Sequence, residues 1–293
     1  MEKILVTGGA GLLGSKLINL GPKDFETVAC YNRNKPDFDN IREMDLTDRG
    51  RVFKVIEKEK PDIIIHTAAL TNVDYCEEHE KEAWKINVEG TKNVVEAAKR
   101  VNAKMVYIST EYVFDGEHGP YSEDDETNPL GVYAKTKLKG EGEVKNSGLD
   151  YMIIRTTVLY GMDRYKQNFV TWVIENLKND KDIKAVTDQY GSPSFADDVA
   201  RIIIELIKNR KTGIYNVVGS DIVNRYEFAL RIAKVFNLNT KFIKPVTTEE
   251  SKQKSPRPKK AGLRTDKTQN ELKIKPMGIE DGLLKMKEQM ENE

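Results

Sequence analysis

The chain has no excess charge of either sign. Its 293 residues carry 47 Lys and Arg against 47 Asp and Glu, so no net field draws it to nucleic acid or to an anionic membrane. It has no apolar run long enough to span a bilayer, and glycines interrupt the apolar N-terminus before it reaches signal-peptide character. Cysteine is scarce. Cys30 and Cys76 share no C-x-x-C spacing, so no disulfide framework is expected and a reduced, cytoplasmic setting is. The three histidines, His66, His79 and His118, are scattered without ligand spacing, and no metal site is expected. Repeats and low-complexity linkers are also missing. What remains is a soluble-type chain long enough for a large core.

Apolar, β-branched runs alternate with helical stretches. Lys3 to Thr7, Thr27 to Tyr31, a short run before Asp45, Asp62 to His66, Met105 to Ser109 and Tyr151 to Arg155 read as strands. Leu12 to Leu20, Arg49 to Lys60, Glu80 to Arg100 and Gly131 to Glu143 read as helices, the second stopped by Pro61. The dense isoleucines of 63–65 suit a parallel strand covered on both faces. The acidic segment Asp115 to Pro129 reads as a surface loop. The expected fold is α/β, a doubly wound parallel (Rossmann) sheet with a smaller, mixed α/β C-terminal substrate lobe. The dinucleotide-binding domain is expected over 1–154, with 194–220 returning to it. The substrate lobe is expected over 155–193 and 221–293, with helices near 168–179, 198–208, 226–236 and 280–291, a strand at 213–218 and mostly loop from Pro245 to Leu263.

Two motifs carry chemistry. The first follows the first strand as Gly8-Gly9-Ala10-Gly11-Leu12-Leu13-Gly14. Gly8 allows the sharp bend, Gly11 lets backbone approach a pyrophosphate, and Gly14 lets the helix pack on the sheet. The helix start at Leu12 and Leu13 then offers amide donors and a positive dipole end. After the second strand comes Asn32-Arg33, with no acid to accept from a ribose 2′-hydroxyl. Arg33 is the better partner for a 2′-phosphate, which favours NADP(H).

The second motif is Tyr133-x-x-x-Lys137. Residues four apart share a helix face, so the ammonium is expected near the phenol, where it would favour the ionised form. A tyrosine tuned in this way gives its proton to a carbonyl oxygen as hydride reaches the carbon. Such pairs also occur on solvated helices. It is the order, glycine turn first and pair later, that points to nicotinamide-dependent carbonyl reduction.

With these residues in place the chain resembles the extended short-chain dehydrogenases/reductases and, among them, the dTDP-4-dehydrorhamnose reductase family. The matching stretches are the glycine turn, Asp45-Leu46-Thr47-Asp48, Pro61 to Ala69, Asn87 to Thr91, Ser109 to Gly116, Tyr133 to Lys137, Asp188 to Pro193 and Arg257-Pro258. The resemblance implies NADPH-dependent reduction of the C4 ketone of a nucleotide-linked deoxysugar, in dTDP-L-rhamnose synthesis. Asp45 and Leu46 would flank the adenine, Ala68 and Ala69 would line the cofactor cleft, and Asn87 would lie beneath it. Thr110 and Tyr133 would act on the carbonyl, and Lys137 would hold the nicotinamide ribose. Glu111, Val158 and Arg257 would meet the nucleotide-sugar substrate, Arg257 at its diphosphate. Two departures stand out. Glu111 replaces the family's usual Asp, and Val158 replaces the Trp on which the sugar would rest. The chain is also similar to the regulatory β subunit of methionine adenosyltransferase, which binds cofactor without turnover. That rival, and another epimerase or dehydratase of the superfamily, stay open here, as does a homodimer.

Overall fold

Alternating burial on both faces of the apolar runs sets the sheet. The computed structural model describes residues 1–292. In its first half, β1 (Lys3–Thr7), α1 (Leu12–Leu20), β2 (Glu26–Tyr31), β3 (Ile41–Glu43), α2 (Arg49–Glu59) and β4 (Ile63–His66) follow in order. Ile63 and Ile65 of β4 enter the core beside Ile4 and Val6, whereas Ile64 and Leu5 enter the opposite one. Lys60 ends α2 in the left-handed region, φ 46°, just before Pro61.

The expected helix from Glu80 to Arg100 is more divided than its sequence suggests. A short α3 (Val73–Glu78), capped by Asn72, precedes it, and the reading did not anticipate this turn. Then α4 (Glu80–Trp84) passes through a π-turn (Lys85–Glu89) into α5 (Gly90–Val101). Such bulges gather at functional positions, and this one carries Asn87. Next come β5 (Lys104–Thr110), α6 (Val132–Lys145) and β6 (Tyr151–Thr156).

In the second half, β7 (Leu159–Tyr160), α7 (Phe169–Lys178), β8 (Ile183–Val186), β9 (Tyr190–Gly191) and β10 (Ser194–Phe195) lead to α8 (Ala196–Lys208) and β11 (Gly213–Asn216). Then follow β12 (Val223–Asn224), α9 (Arg225–Val235), β13 (Ile243–Val246), α10 (Thr248–Ser251), α11 (Asp266–Leu272) and α12 (Ile279–Glu291). The stretch read as loop after Pro245 is therefore partly ordered, because β13 pairs in parallel with β8. Two-residue strands and a seven-residue helix fall below the length at which periodicity speaks.

The central sheet runs β11-β6-β5-β4-β1-β2-β3, all parallel. Strand order reverses between β1 and β4, and the crevice above that switch point is where such sheets bind ligands. One core lies between the sheet and α1 and α8, another beneath α2 and α5, and a third inside the C-terminal lobe.

A buried ion pair fixes α6 to the sheet. Arg155 of β6 donates from Nε and Nη2 to Glu141 of α6 at 3.0 and 2.9 Å. Ser109 of β5 donates to the same carboxylate at 2.7 Å, and Arg155 Nη1 donates to the Glu123 carbonyl at 3.1 Å. The expected surface loop 115–129 is thus pinned from within. Tyr121 and Glu123 are buried, Tyr121 stacks on Phe114 at 4.2 Å, and Glu123 accepts from the Asn216 amide at 2.9 Å.

Removing one partner of such a pair leaves an uncompensated buried charge, which costs about 3–5 kcal/mol. Glu141→Ala is therefore expected to lower the denaturant midpoint strongly. Glu141→Leu combined with Arg155→Met is expected to recover most of that loss. A Glu141→Ala protein with an unchanged midpoint would contradict this account.

Candidate active site and cofactor cleft

Above the switch point the glycine turn closes against the neighbouring strand. Gly8 adopts φ +67°, and a Cβ on it would lie 2.8–2.9 Å from Thr67 and Ala68. A Cβ on Gly14 would sit 2.1 Å from the Gly8 carbonyl, so no side chain fits where α1 crosses the turn. No side chain caps α1 at Gly11. The first-turn amides, those of Leu12 and Leu13 among them, keep their donors for an anion, and the arrangement fits a dinucleotide pyrophosphate.

Around this turn the structure gathers the residues singled out for the adenosine end. The Asp45 carboxylate accepts from the Thr47 amide and hydroxyl, both at 2.8 Å, and is held below its usual range chiefly by that amide, with Asn32 close enough to add to the effect. Leu46 is buried beside Gly90, and Ala68 donates its amide to Thr7 Oγ1 at 3.2 Å, with Ala69 following it half-buried. Arg33 is exposed, and its charge acts on the Tyr75 phenol across the end of β2. Asn87 is fully enclosed. Its amide accepts from Leu70 N at 2.7 Å and donates to Leu70 O and to Thr136 Oγ1, so it clamps the loop after β4 to α6.

Beneath lies a relay not read from the sequence. Thr91 donates to the Asn87 carbonyl at 2.7 Å, so its oxygen accepts from His66 Nε2 at 3.1 Å. His66 Nδ1 then accepts from Thr7 at 2.7 Å. Burial, and after it the Lys137 charge, depresses His66 to about 3, so the ring is neutral and structural. The cysteines are separate buried thiols, with Cys30 pushed up to about 12 and Cys76 to about 11, mainly by burial.

Thr110, Tyr133 and Lys137 come together from the end of β5 and the first turns of α6. The Thr110 hydroxyl accepts from the Tyr112 amide at 3.2 Å and lies close enough to the Tyr133 phenol to act on its proton, and Tyr112 meets the Tyr133 ring edge-on at 6.2 Å. The expected downward tuning of the phenol is reversed. Burial raises Tyr133 above its ordinary value, and the nearby Thr110 hydroxyl opposes that only in part. Lys137 rests its Nζ 4.0 Å over the Tyr107 ring, and burial lowers it to about 7 against the opposing pull of Glu141. The dominant physics is desolvation of both groups. A phenol held protonated is the form an acid needs.

On the substrate side, Glu111 is 2% exposed and bonded to Thr157, with Oε2 unpartnered. Val158 sits at φ 40°, a strained conformation for a β-branched residue, and its carbonyl accepts from Ser194 at 3.2 Å. Arg257 is not free to reach outward. Its guanidinium donates to Asp74 at 2.9 Å and to the Ser255 carbonyl at 2.8 Å. Two residues not singled out from the sequence bear on this side: Thr156, paired in register with Thr110 and buried without a partner, and Arg225, whose charge acts on Glu111; a cation directly after the helix-capping Asn224 was the available signal for the second.

The family model described as the RmlD substrate binding domain matches residues 1–292. The chain belongs to that family. Its fold superposes on a dTDP-4-dehydrorhamnose reductase from Bacillus anthracis, solved in complex with NADP, at a TM-score of 0.89 and 34% identity, covering 98% of this chain and 99% of the other. The spore coat polysaccharide biosynthesis protein SpsK of Bacillus subtilis is 36% identical over 260 residues, 88% of this chain and 87% of its own. Methionine adenosyltransferase 2 subunit beta of Bos taurus is 32% identical over 255 residues, 84% of this chain and 75% of its own. No helix among the described residues is long and apolar enough to cross a membrane.

Glu111 gives this family member a testable pH signature. Burial pushes its carboxyl up to about 8, with the Thr157 bond and the Arg225 charge opposing. An acid raised on folding contributes stability that is full below its unfolded value, near 4.5, and is lost as pH rises through about 8. Glu111→Gln removes that proton exchange. Relative to wild type, the variant is expected to gain stability between pH 5 and 8, at up to ~1.4 kcal/mol per pH unit. Parallel denaturation curves across this window check it, and a constant difference would refute it.

Proposed function

We propose that this chain is an NADPH-dependent reductase of the C4 ketone of dTDP-4-dehydrorhamnose, forming dTDP-L-rhamnose. The observation that carries this reading is the meeting of Thr110, at the end of β5, with the buried Tyr133 phenol of α6. It stands above an uncapped glycine turn, in a chain whose reductase neighbour aligns over 98% of it. The β-subunit relative is matched over only 75% of its own length. The first half with 194–220 is the dinucleotide-binding part in this reading, and 155–193 with 221–293 the substrate lobe. A reaction that draws on soluble NADPH and a nucleotide sugar belongs in the cytoplasm.

The glycine turn, Asn32, Arg33, Asp45, Leu46, Ala68 and Ala69 would hold the cofactor, with Asn87 fixing the loop that borders it. When bound, the dinucleotide supplies the hydride. The chain's own residues do the rest. Thr110 and Tyr133 orient and polarise the carbonyl oxygen as negative charge develops on it. Tyr133 gives its proton to that oxygen, so the ketone becomes an alcohol and the phenol a phenolate. Lys137, titrating near neutrality, is placed on the same helix to restore the proton. Arg257 reaches the diphosphate only by sharing its guanidinium with Asp74.

Tyr133→Phe is expected to lower kcat by about 10²–10⁴ while NADPH affinity holds. Stopped-assay NADPH oxidation with dTDP-4-dehydrorhamnose, beside cofactor titration, measures both, and a wild-type kcat in the variant would sink the mechanism. The cofactor choice is tested separately. Arg33→Ala is expected to weaken NADPH about tenfold or more and leave NADH unchanged, since a charge-assisted contact is worth roughly 1.5–3 kcal/mol. Equal NADPH and NADH affinities in the wild type would remove Arg33 from the site.

A further inference from the structure

Two local rules are broken on opposite sides of one space. Arg225 is the first residue of α9, directly after the capping Asn224. A cation there opposes the helix dipole, and first turns favour acids. Among the described residues its guanidinium makes no hydrogen bond or ion pair; it lies over the Phe169 ring, 5.7 Å from the centroid. Facing it electrostatically is Glu111, whose Oε2 is buried without a partner. Thr156 Oγ1, on the β6 residue paired in register with Thr110, is buried and unpartnered too. The wall between them is low. Gly191 has no side chain, and a Cβ there would come within 3.1 Å of Glu111 Oε1. Gly191 pairs with Val223, two residues before Arg225, so β9 and β12 bring the start of α9 toward the glycine that borders Glu111.

A buried acceptor within the field of an unpaired donor, with no side chain on Gly191 to separate them, calls for a group that is both donor and acceptor. A hydroxyl is that group, since it donates to a carboxyl oxygen and accepts from a guanidinium. We infer that Arg225, together with Glu111, reads the sugar hydroxyl next to the carbon that is reduced, and so sets substrate specificity. This rests on the reductase reading above. Thr110 and Tyr133 fix the C4 oxygen there, and Glu111 follows Thr110 directly. In a 6-deoxysugar the C5 neighbour carries no hydroxyl, which leaves the one on C3. The contact replaces the hold on the sugar that an aromatic side chain at Val158 would provide. A site built around a hydroxyl rejects the analogue that lacks it, because its polar groups are left unpaired.

The test uses the intact protein, Arg225→Ala and Arg225→Lys. KM and kcat are measured with dTDP-4-dehydrorhamnose and with its 3-deoxy analogue. Calorimetry follows dTDP and dTDP-L-rhamnose, and melting curves follow folding. Arg225→Ala is expected to raise KM for the hydroxy sugar about tenfold or more, the loss of a charge-assisted hydrogen bond. Its KM for the 3-deoxy analogue and its NADPH affinity stay at wild-type values, and Lys restores part of the difference. Its Tm stays level or rises, because a cation leaves the helix start. Equal weakening of dTDP and dTDP-L-rhamnose would overturn the inference in favour of a phosphate grip. A lower Tm with unchanged discrimination would overturn it in favour of a structural role. If the wild type reduces no 4-ketosugar, the reductase reading fails by itself. The dTDP-L-rhamnose to dTDP affinity ratio, wild type against Arg225→Ala, then still supports or overturns the hydroxyl contact.

Discussion

The Glu141–Arg155 pair is the constraint on which the site's geometry rests. α6 must hold Tyr133 and Lys137 at fixed height above the sheet, yet its burial is spread widely around the helix rather than along one apolar stripe. The helix is located instead by a charge two turns beyond Tyr133. Glu141 takes both nitrogens of Arg155 and the hydroxyl of Ser109, so strands β5 and β6 are read by one carboxylate. An ion pair adds little net stability when fully desolvated. It adds direction, because a bidentate pair tolerates only one register of helix on sheet. The same carboxylate also pulls upward on Lys137 against burial. One group thereby fixes the position of the lysine and works against its loss of charge.

The parts of the fold that were legible are those where periodicity is long. Strand β4, with three successive isoleucines, and helix α2, stopped by Pro61, were readable because apolar spacing and a breaker agree there. The helix pair around Asn87 was not. A π-turn leaves the composition of a helix unchanged and shifts only its hydrogen bonding. The loop 115–129 misled for a different reason. Its acidic, proline-bearing composition is that of a surface, but Tyr121 and Glu123 turn inward to meet Phe114 and Asn216, and nothing local announces a partner ninety residues away.

The site divides in the same way. Gly8, Gly14, Thr110, Tyr133 and Lys137 were legible because each is a residue type demanded by its chemistry at a spacing that topology brings together. The sign of the Tyr133 shift was not. Sequence spacing places a lysine one turn from a tyrosine but says nothing of how deeply either is buried. Here Lys137 settles over Tyr107, and desolvation outweighs the charge it was expected to lend. Arg257 shows the same limit. A motif supplies a guanidinium, but only the fold reveals that Asp74 already holds it.

Three residues on the side proposed to meet the sugar violate local preference. Val158 takes a left-handed backbone that a β-branched side chain resists, Glu111 buries an oxygen without a partner, and Arg225 sets a cation at a helix start. Each is unfavourable by itself, and a chain selected for stability alone would carry Gly, Gln and an acid at those positions. The side proposed to hold the cofactor obeys its rules: Gly8 takes a glycine conformation, Asp45 is held by Thr47, and His66 is satisfied at both nitrogens. Strain on a β-branched residue, a buried carboxyl and a helix start on the side proposed to meet the sugar is strain of the kind held for recognition. On this reasoning the dinucleotide half is the fixed platform and the sugar side is where this chain differs in its chemistry. If Glu111 and Arg225 hold the sugar as proposed, in place of an aromatic platform at Val158, they trade apolar contact area, worth about 25 cal/mol per Å², for directional hydrogen bonds. The first holds any sugar face, and the second holds one pattern of hydroxyls.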